Sequence, residues 1–206
     1  WPEWQVRLDN IRLTNNNLQL QRGNRQSAPS TFDMNHLGIR DFNFLASNIE
    51  LKEQSAQGTI DELSFRERSG FRLKNLAFST LLTSQQLQLN NLEVKTNNSR
   101  LSANAELGYP SLDSLLANPA NNLSGAVQIG EDTRLSLRDA FYFNDSLRGD
   151  SLMQVWANYP VELTGAVSGS LADIEIDQLE VEAFKSARFT LDGKVQGLPD
   201  TNRLWV

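Results

Sequence analysis

Cysteine is absent from the 206 residues. That excludes disulfide scaffolds and thiolate-bound zinc, and it is compatible with an oxidising compartment. Histidine occurs once, at His36, so a multi-histidine metal centre is excluded. His36 has no serine or cysteine partner in a recognised motif. No GxSxG, HExxH, P-loop or dinucleotide fingerprint occurs. Basic clusters are missing too. The net charge is −6, whereas a phosphate backbone needs a Lys/Arg stripe, so no nucleic-acid partner is expected. No apolar run approaches the ~20 residues of a membrane-spanning helix, and no signal peptide is recognisable. The chain opens at Trp1 without a methionine and stops at Val206 in mid-pattern; we expect an internal piece of a longer protein.

Carboxylates do come in pairs, at Asp61-Glu62 and Glu131-Asp132. Neighbours in a regular strand point to opposite faces, which makes poor acid/base dyads. Asp61, Asp177 and Asn90 offer oxygens for calcium, but solvated corner residues are the expected reading. We expect no enzyme, no metal and no cofactor.

What the chain has is alternation. Leu101, Ala103, Ala105 and Leu107 are separated by single polar residues, and so are Leu123, Gly125, Val127 and Ile129. Leu163, Gly165, Val167, Gly169 and Leu171 repeat the theme, as do Phe189, Leu191, Gly193, Val195 and Gly197. Period two means strands with one face turned from water. Asparagine occurs twenty times. Asn15-Asn16-Asn17, Ser69-Gly70 and Asn97-Asn98-Ser99 read as turns, because Asn and Gly tolerate left-handed backbone.

A second spacing, i, i+2, i+5, i+7, is sharper. It occurs in Val6/Leu8/Ile11/Leu13, Leu37/Ile39/Phe42/Phe44, Phe71/Leu73/Leu76/Phe78, Leu87/Leu89/Leu92/Val94 and Ile174/Ile176/Leu179/Val181. With glycine first it returns in Gly58/Ile60/Leu63/Phe65. The central pair is polar each time: Asp9-Asn10, Arg40-Asp41, Lys74-Asn75, Asn90-Asn91, Asp177-Gln178 and Asp61-Glu62. Two readings compete. The pair is a two-residue hairpin loop, or a bulge at which two successive residues face outward and the strand bends. None of the pairs contains Gly, and hairpins there would leave arms of about four residues. The bulge is favoured.

Bent strands side by side make a folded, taco-like sheet with an apolar interior. The motif starts are unevenly spaced, unlike a β-helix or propeller. We expect one all-β repetitive module over residues 1–206, with a weak boundary near 108–122. At most one or two short helices are expected: Ser111–Asn118 reads as a short helix or a capped turn, and Asp150–Tyr159 carries helical spacing that Pro160 ends. Leu152, Val155, Trp156 and Tyr159 fall at helical spacing. We read them as core packing or a plug over one sheet end, with a lid over the trough as the functional alternative. Residues 21–35 read as a polar loop. Trp1, Trp4 and Trp205 are expected to pack on missing neighbours, and Trp156 in the core.

The C-terminal run from Leu163 through Ile174-Glu-Ile176-Asp-Gln-Leu179-Glu-Val181 to Phe189-Thr-Leu191-Asp-Gly193-Lys-Val195-Gln-Gly197-Leu198-Pro199-Asp200 resembles the TamB family, within the AsmA-like envelope proteins. So do the segment from Arg134 through Asp139, Phe141 and Phe143 to Leu147, and the segment from Ser64 to Leu76. The resemblance runs from about Asn35 onward, by pattern. It implies an inner-membrane anchor, a long apolar-lined sheet crossing the periplasm, phospholipid as cargo and an outer-membrane barrel-assembly partner.

The candidate lipid-facing residues are Phe71, Leu73, Leu76, Phe78, Leu87, Leu89, Leu92, Val94, Val127, Ile129, Leu163, Val167, Ile174, Ile176, Leu179, Val181, Phe189 and Leu191. Phospholipid or detergent acyl chains are the expected ligands. Gly125, Gly165, Gly169 and Gly193 leave room for chains or let the opposite wall approach. The rivals are a structural β spacer with a filled core and, less favoured, a carbohydrate-binding β-solenoid, which would need a constant period and a polar groove. Unpaired sheet edges are expected to allow dimerisation edge to edge.

Overall fold

The structure, a computed structural model, describes residues 4–23, 31–118, 122–184 and 187–197. Trp1, Trp205, the middle of the 21–35 stretch and the Leu198-Pro199-Asp200 end of the family-like run lie outside these residues. Eleven strands form one open antiparallel sheet. They are β1 (Gln5–Gln19), β2 (Gly38–Lys52), β3 (Ser55–Glu67), β4 (Arg72–Leu73), β5 (Asn75–Thr83), β6 (Gln86–Lys95), β7 (Arg100–Gly108), β8 (Ser124–Leu135), β9 (Val161–Ser170), β10 (Asp173–Ala183) and β11 (Ala187–Gln196). Each strand pairs with its sequence neighbour, except that β4 and β5 both pair with β3. β1 and β11 are the edges. The described helices are short: α1 (Leu112–Ala117), α2 (Leu137–Ala140), α3 (Ser146–Gly149) and α4 (Ser151–Trp156). The expected all-β folded sheet is what forms.

The polar pairs sit within the course of strands, not at hairpin tips. Asp41, Asn91 and Gln178, the second residues of three pairs, have φ of 53°, 54° and 45°. The ladders slip there. Leu89 pairs with Ala105 but Leu92 with Ala103, so two residues of β6 face one of β7. Ile176 pairs with Gly193 and Leu179 with Leu191. These are bulges with a left-handed residue, which bend a strand without ending it. At the Asp61-Glu62 pair, Leu45 opposes Glu62 and Ala46 opposes Ile60, leaving Asp61 unpaired. At Lys74 the strand is interrupted outright, between β4 and β5.

Asn15-Asn16-Asn17 makes no turn. It lies inside β1, with Asn15 at φ 54°. The same tolerance of left-handed backbone that suits asparagine to turns serves a mid-strand bulge here. The structure adds a further instance: Phe44, Ala46, Ile49 and Leu51 have the i, i+2, i+5, i+7 spacing around Ser47-Asn48, with Asn48 at φ 53°. They pair with Leu13, Ile11, Leu8 and Val6 in turn. Both strands bend at the same level, so their register continues unshifted. Ser69-Gly70 and Asn97-Asn98-Ser99 are turns as expected.

The stretch 108–122 joins two adjacent strands of the one sheet, since Gly108 pairs with Ser124. Within it, α1 opens on a reciprocal cap: the Ser111 hydroxyl accepts from the Ser114 N–H, and the Ser114 hydroxyl from the Ser111 N–H. The Asp150 carboxylate accepts from the N–H groups of Leu152 and Met153 to begin α4. Each cap satisfies donors that have no partner in a first helical turn.

Candidate functional site

Residues directly opposite on neighbouring strands project from the same face of a sheet. The register therefore traces one face across the molecule. Leu87, Leu89, Leu92 and Val94 of β6 lie opposite Leu107, Ala105, Ala103 and Leu101 of β7. Ala103 and Ala105 lie opposite Ile129 and Val127 of β8, and Val127 opposite Val167 of β9. Val167 and Leu163 face Ile176 and Val181 of β10, while Ile174, Leu179 and Val181 meet Val195, Leu191 and Phe189 of β11. In the other direction Leu76 pairs with Val94, Leu82 with Leu87, and Ile60 with Phe78. The bulges thus hold both arms of each bent strand on one common surface. Without the extra residue at Asn90-Asn91, Leu92 and Val94 would turn to the opposite side.

That face is not a dry core. Leu76, Phe78, Leu87, Leu89, Leu92, Val94, Val127, Ile129, Leu163, Val167, Ile174, Ile176, Leu179 and Val181 are all only half-buried. Phe189 and Leu191 are half exposed on the edge strand. In a filled β-sandwich the inner side chains of two sheets interdigitate and lose their water. Among the described residues the buried apolar ones are few, and several are alanines: Ala46, Ala103, Ala157 and Ala183.

The outer face carries the charge. Arg7 lies opposite Glu50, Glu175 opposite Lys194, and Glu182 opposite Arg188. Glu93 binds Lys95 at 2.7 Å and Arg100 at 3.2 Å, and these cations hold its carboxyl below the usual carboxylate range. Asp61, Asn90 and Asp177 are exposed at bends of three different strands. They do not converge.

Glycine neither widens the trough nor brings its walls together at three of the four positions. A methyl at Gly125 would lie 2.1 Å from the Glu106 carbonyl oxygen, at Gly165 2.6 Å from that of Gln178, and at Gly169 2.2 Å from that of Asp173. The crowding comes from adjacent strands of the same sheet. Gly193, on the edge strand, has nothing within 4 Å.

At one end of the face aromatic rings gather around Phe71. Phe71 is 8% exposed and stands in the turn before β4. Its ring meets those of Phe65, Phe32, Tyr142 and Phe143 at centroid distances of 5.2 to 6.4 Å. Phe71 is therefore covered by protein rings and does not line an open surface. Leu73, at the same end, is also buried. The segment carrying Phe141 to Phe143 is tied across the strand ends. The Ser136 N–H donates to the Ser99 hydroxyl, Thr96 and Asn98 donate to Asp139, and Asn97 donates to the Tyr142 hydroxyl.

Glu67 sits at this end on the apolar face, opposite Ile39, with its side chain fully buried. Its carboxylate accepts the N–H groups of Ser69 at 2.7 Å and Gly38 at 3.3 Å. It secures the turn that presents Phe71. His36 is buried beside the same segment, with Nδ1 2.8 Å from Asp33.

The helical stripe expected as core packing or as a plug over one sheet end lies at a sheet end but is only partly covered. Leu152 and Val155 are more than half exposed. Trp156 and Tyr159 lean on Phe184 beyond the end of β10, and Trp156 is also half exposed rather than a core residue. The plug is instead Phe71 with Phe141 to Phe143. Its sequence signal was the aromatic triplet at the end of the family-like segment. Trp4 is half exposed at the start of β1.

The chain matches no protein-family model, no curated protein and no solved structure.

Proposed function

We propose that this chain is a section of an envelope lipid-transfer protein of the TamB type, whose concave apolar face is a bed for phospholipid acyl chains. The observation that carries this reading is the combination of one common apolar face across β1 to β11 with its incomplete burial. An apolar surface of this extent is costly in water unless something apolar covers it. An acyl chain laid on it gains about 0.8 kcal/mol per methylene removed from water. The unpaired edges at β1 and β11 leave space for headgroups in water. No residue of this face need perform chemistry.

In that reading the working compartment is the periplasm. The inner-membrane anchor and the outer-membrane barrel-assembly partner belong to the longer protein. Mass spectrometry of lipid extracted from the purified 206-residue chain tests it. Stoichiometric phospholipid is expected, and a lipid-free, folded chain that takes up none from vesicles overturns it. The rival reading, a structural β spacer, draws on the aromatic plug, since a conduit open at both ends has no use for one.

A further inference from the structure

The end of the trough opposite the aromatic plug is built differently. Leu51, Ala56 and Leu82 lie in one row there, Leu51 opposite Ala56 and Ala56 opposite Leu82. β7 leaves this end at Gly108. Tyr109, 5% exposed, then anchors the chain: its N–H donates to the Gln85 carbonyl, and its hydroxyl lies 2.8 Å from the Thr83 carbonyl oxygen and 3.1 Å from that of Gln86. From this anchor α1 reaches over the row. Leu112, Trp4, Leu51, Ala56 and Leu82 line an open cavity of about 320 Å³. Its lining is mainly apolar, and its polar rim comes from the two hairpin turns, Lys52 to Ser55 and Thr83-Ser84.

Two features suit this cavity to an amphiphile. The apolar lining includes the row Leu51, Ala56 and Leu82 of the sheet's apolar face, while the polar lining residues come from the two hairpin turns, a division that suits a tail and a headgroup. The helix above is also unsatisfied by its own protein: Leu112 is 40% exposed and Leu116, one turn on, is 82% exposed. An apolar helical stripe normally packs on a core. Here Leu112 lines the cavity instead.

We propose that the cavity beneath α1 holds the end of an acyl chain, with α1 as its cover, so that lipid occupies the trough from this end and not from the plugged one. The inference rests on the trough reading and adds a location and a direction to it.

Photo-crosslinking separates the two. A benzoylphenylalanine is placed at Leu82, in the cavity, or at Leu89, in mid-trough, and each chain is incubated with phosphatidylethanolamine vesicles bearing a tritiated acyl chain. Ala56→Phe fills the cavity, and Ala56→Leu is the milder version should the first fail to fold by circular dichroism. Filling is expected to lower capture at Leu82 by about tenfold or more, with capture at Leu89 altered less than about twofold. Leu112→Ser, which removes the apolar cover, should also lower capture at Leu82. Capture at Leu89 with none at Leu82, or capture at Leu82 indifferent to filling, overturns the cavity and leaves the trough standing. A crosslink to a second copy of the chain at Leu82 also overturns it, with protein as the occupant. No capture at either position removes the trough reading itself.

Discussion

The Asn104 side-chain oxygen accepts the backbone N–H of Asn91 at 2.8 Å, across the bulge of β6. The same contact joins the Asn15 N–H to Asn43 and the Gln178 N–H to Asp192, at 2.9 and 2.8 Å. In each case the donor is the left-handed residue of the bulge. The acceptor is an Asn or Asp on the adjoining strand. A bulge leaves a backbone donor without its ladder partner, and a short carboxyl or amide side chain supplies one. This latch keeps the bent strand in register while both of its arms face inward.

Asn104→Ala should cost about 0.5–1.5 kcal/mol, the value of one such hydrogen bond. Asn91→Val should cost more, because a β-branched residue at positive φ adds strain of about 1–2 kcal/mol. Asn91→Gly should be nearly neutral. Urea unfolding of the three variants checks the order; a harmless Asn91→Val would dismiss the latch.

Leu89→Glu should leave the fold intact, because the side chain is only half-buried. It should nevertheless abolish most lipid retention, since a carboxylate on an apolar bed must be desolvated by the acyl chain above it. Val127→Glu should behave alike. Lipid uptake and circular dichroism are measured together. Full uptake by a folded variant would show that this face carries no lipid.

Gly125→Ala should destabilise by about 1–3 kcal/mol, since the new methyl meets backbone that can move only by disturbing the β7–β8 ladder. Gly149→Ala has open space and should be tolerated. Melting temperatures compare the pair directly.

Glu67→Ala should cost about 1–3 kcal/mol by removing the acceptor of the part-buried Ser69 and Gly38 N–H groups. Glu67→Gln, which retains one acceptor oxygen, should lose less. Protease cutting near Ser69-Gly70 should rise in the alanine variant only.

Acid should loosen the sheet in a defined window. Glu50 is held below its usual pKa by Lys52 and then Arg7, Glu93 by Lys95 and then Arg100, and Asp33 by the Asn35 N–H and then His36. A carboxyl with a depressed folded pKa binds protons more readily when unfolded, so stability rises with pH through that region. The contribution is complete above the unfolded values near about pH 4 and is lost as pH falls below them. All three groups are close to solvent, so salt should weaken the effect. Melting curves from pH 6 downward test the sign, and Glu93→Gln should flatten part of the acid limb.

The strand pattern, the one-sided greasiness and the bends were legible in the residues. Period-two alternation and the i, i+2, i+5, i+7 spacing are local consequences of which side chains must leave water, and they hold whatever the neighbours do. Even so, Asn15-Asn16-Asn17 misled, because a left-handed asparagine serves a turn and a bulge equally well. Only pairing with Phe42 and Phe44 on β2 decides between them. The bend at Ser47-Asn48 was hidden because Ala46 is a weak apolar signal.

Sequence by itself determined an all-β chain with bent strands and an apolar side, because each strand's burial pattern is written in its own residues. Tertiary structure alone decided that the apolar sides form one half-covered surface, that Phe71 is sealed under the rings of Tyr142 and Phe143, and that Leu112 of α1 lines a cavity. Those outcomes depend on which distant segments cross the ends of the sheet, and no local periodicity encodes a crossing.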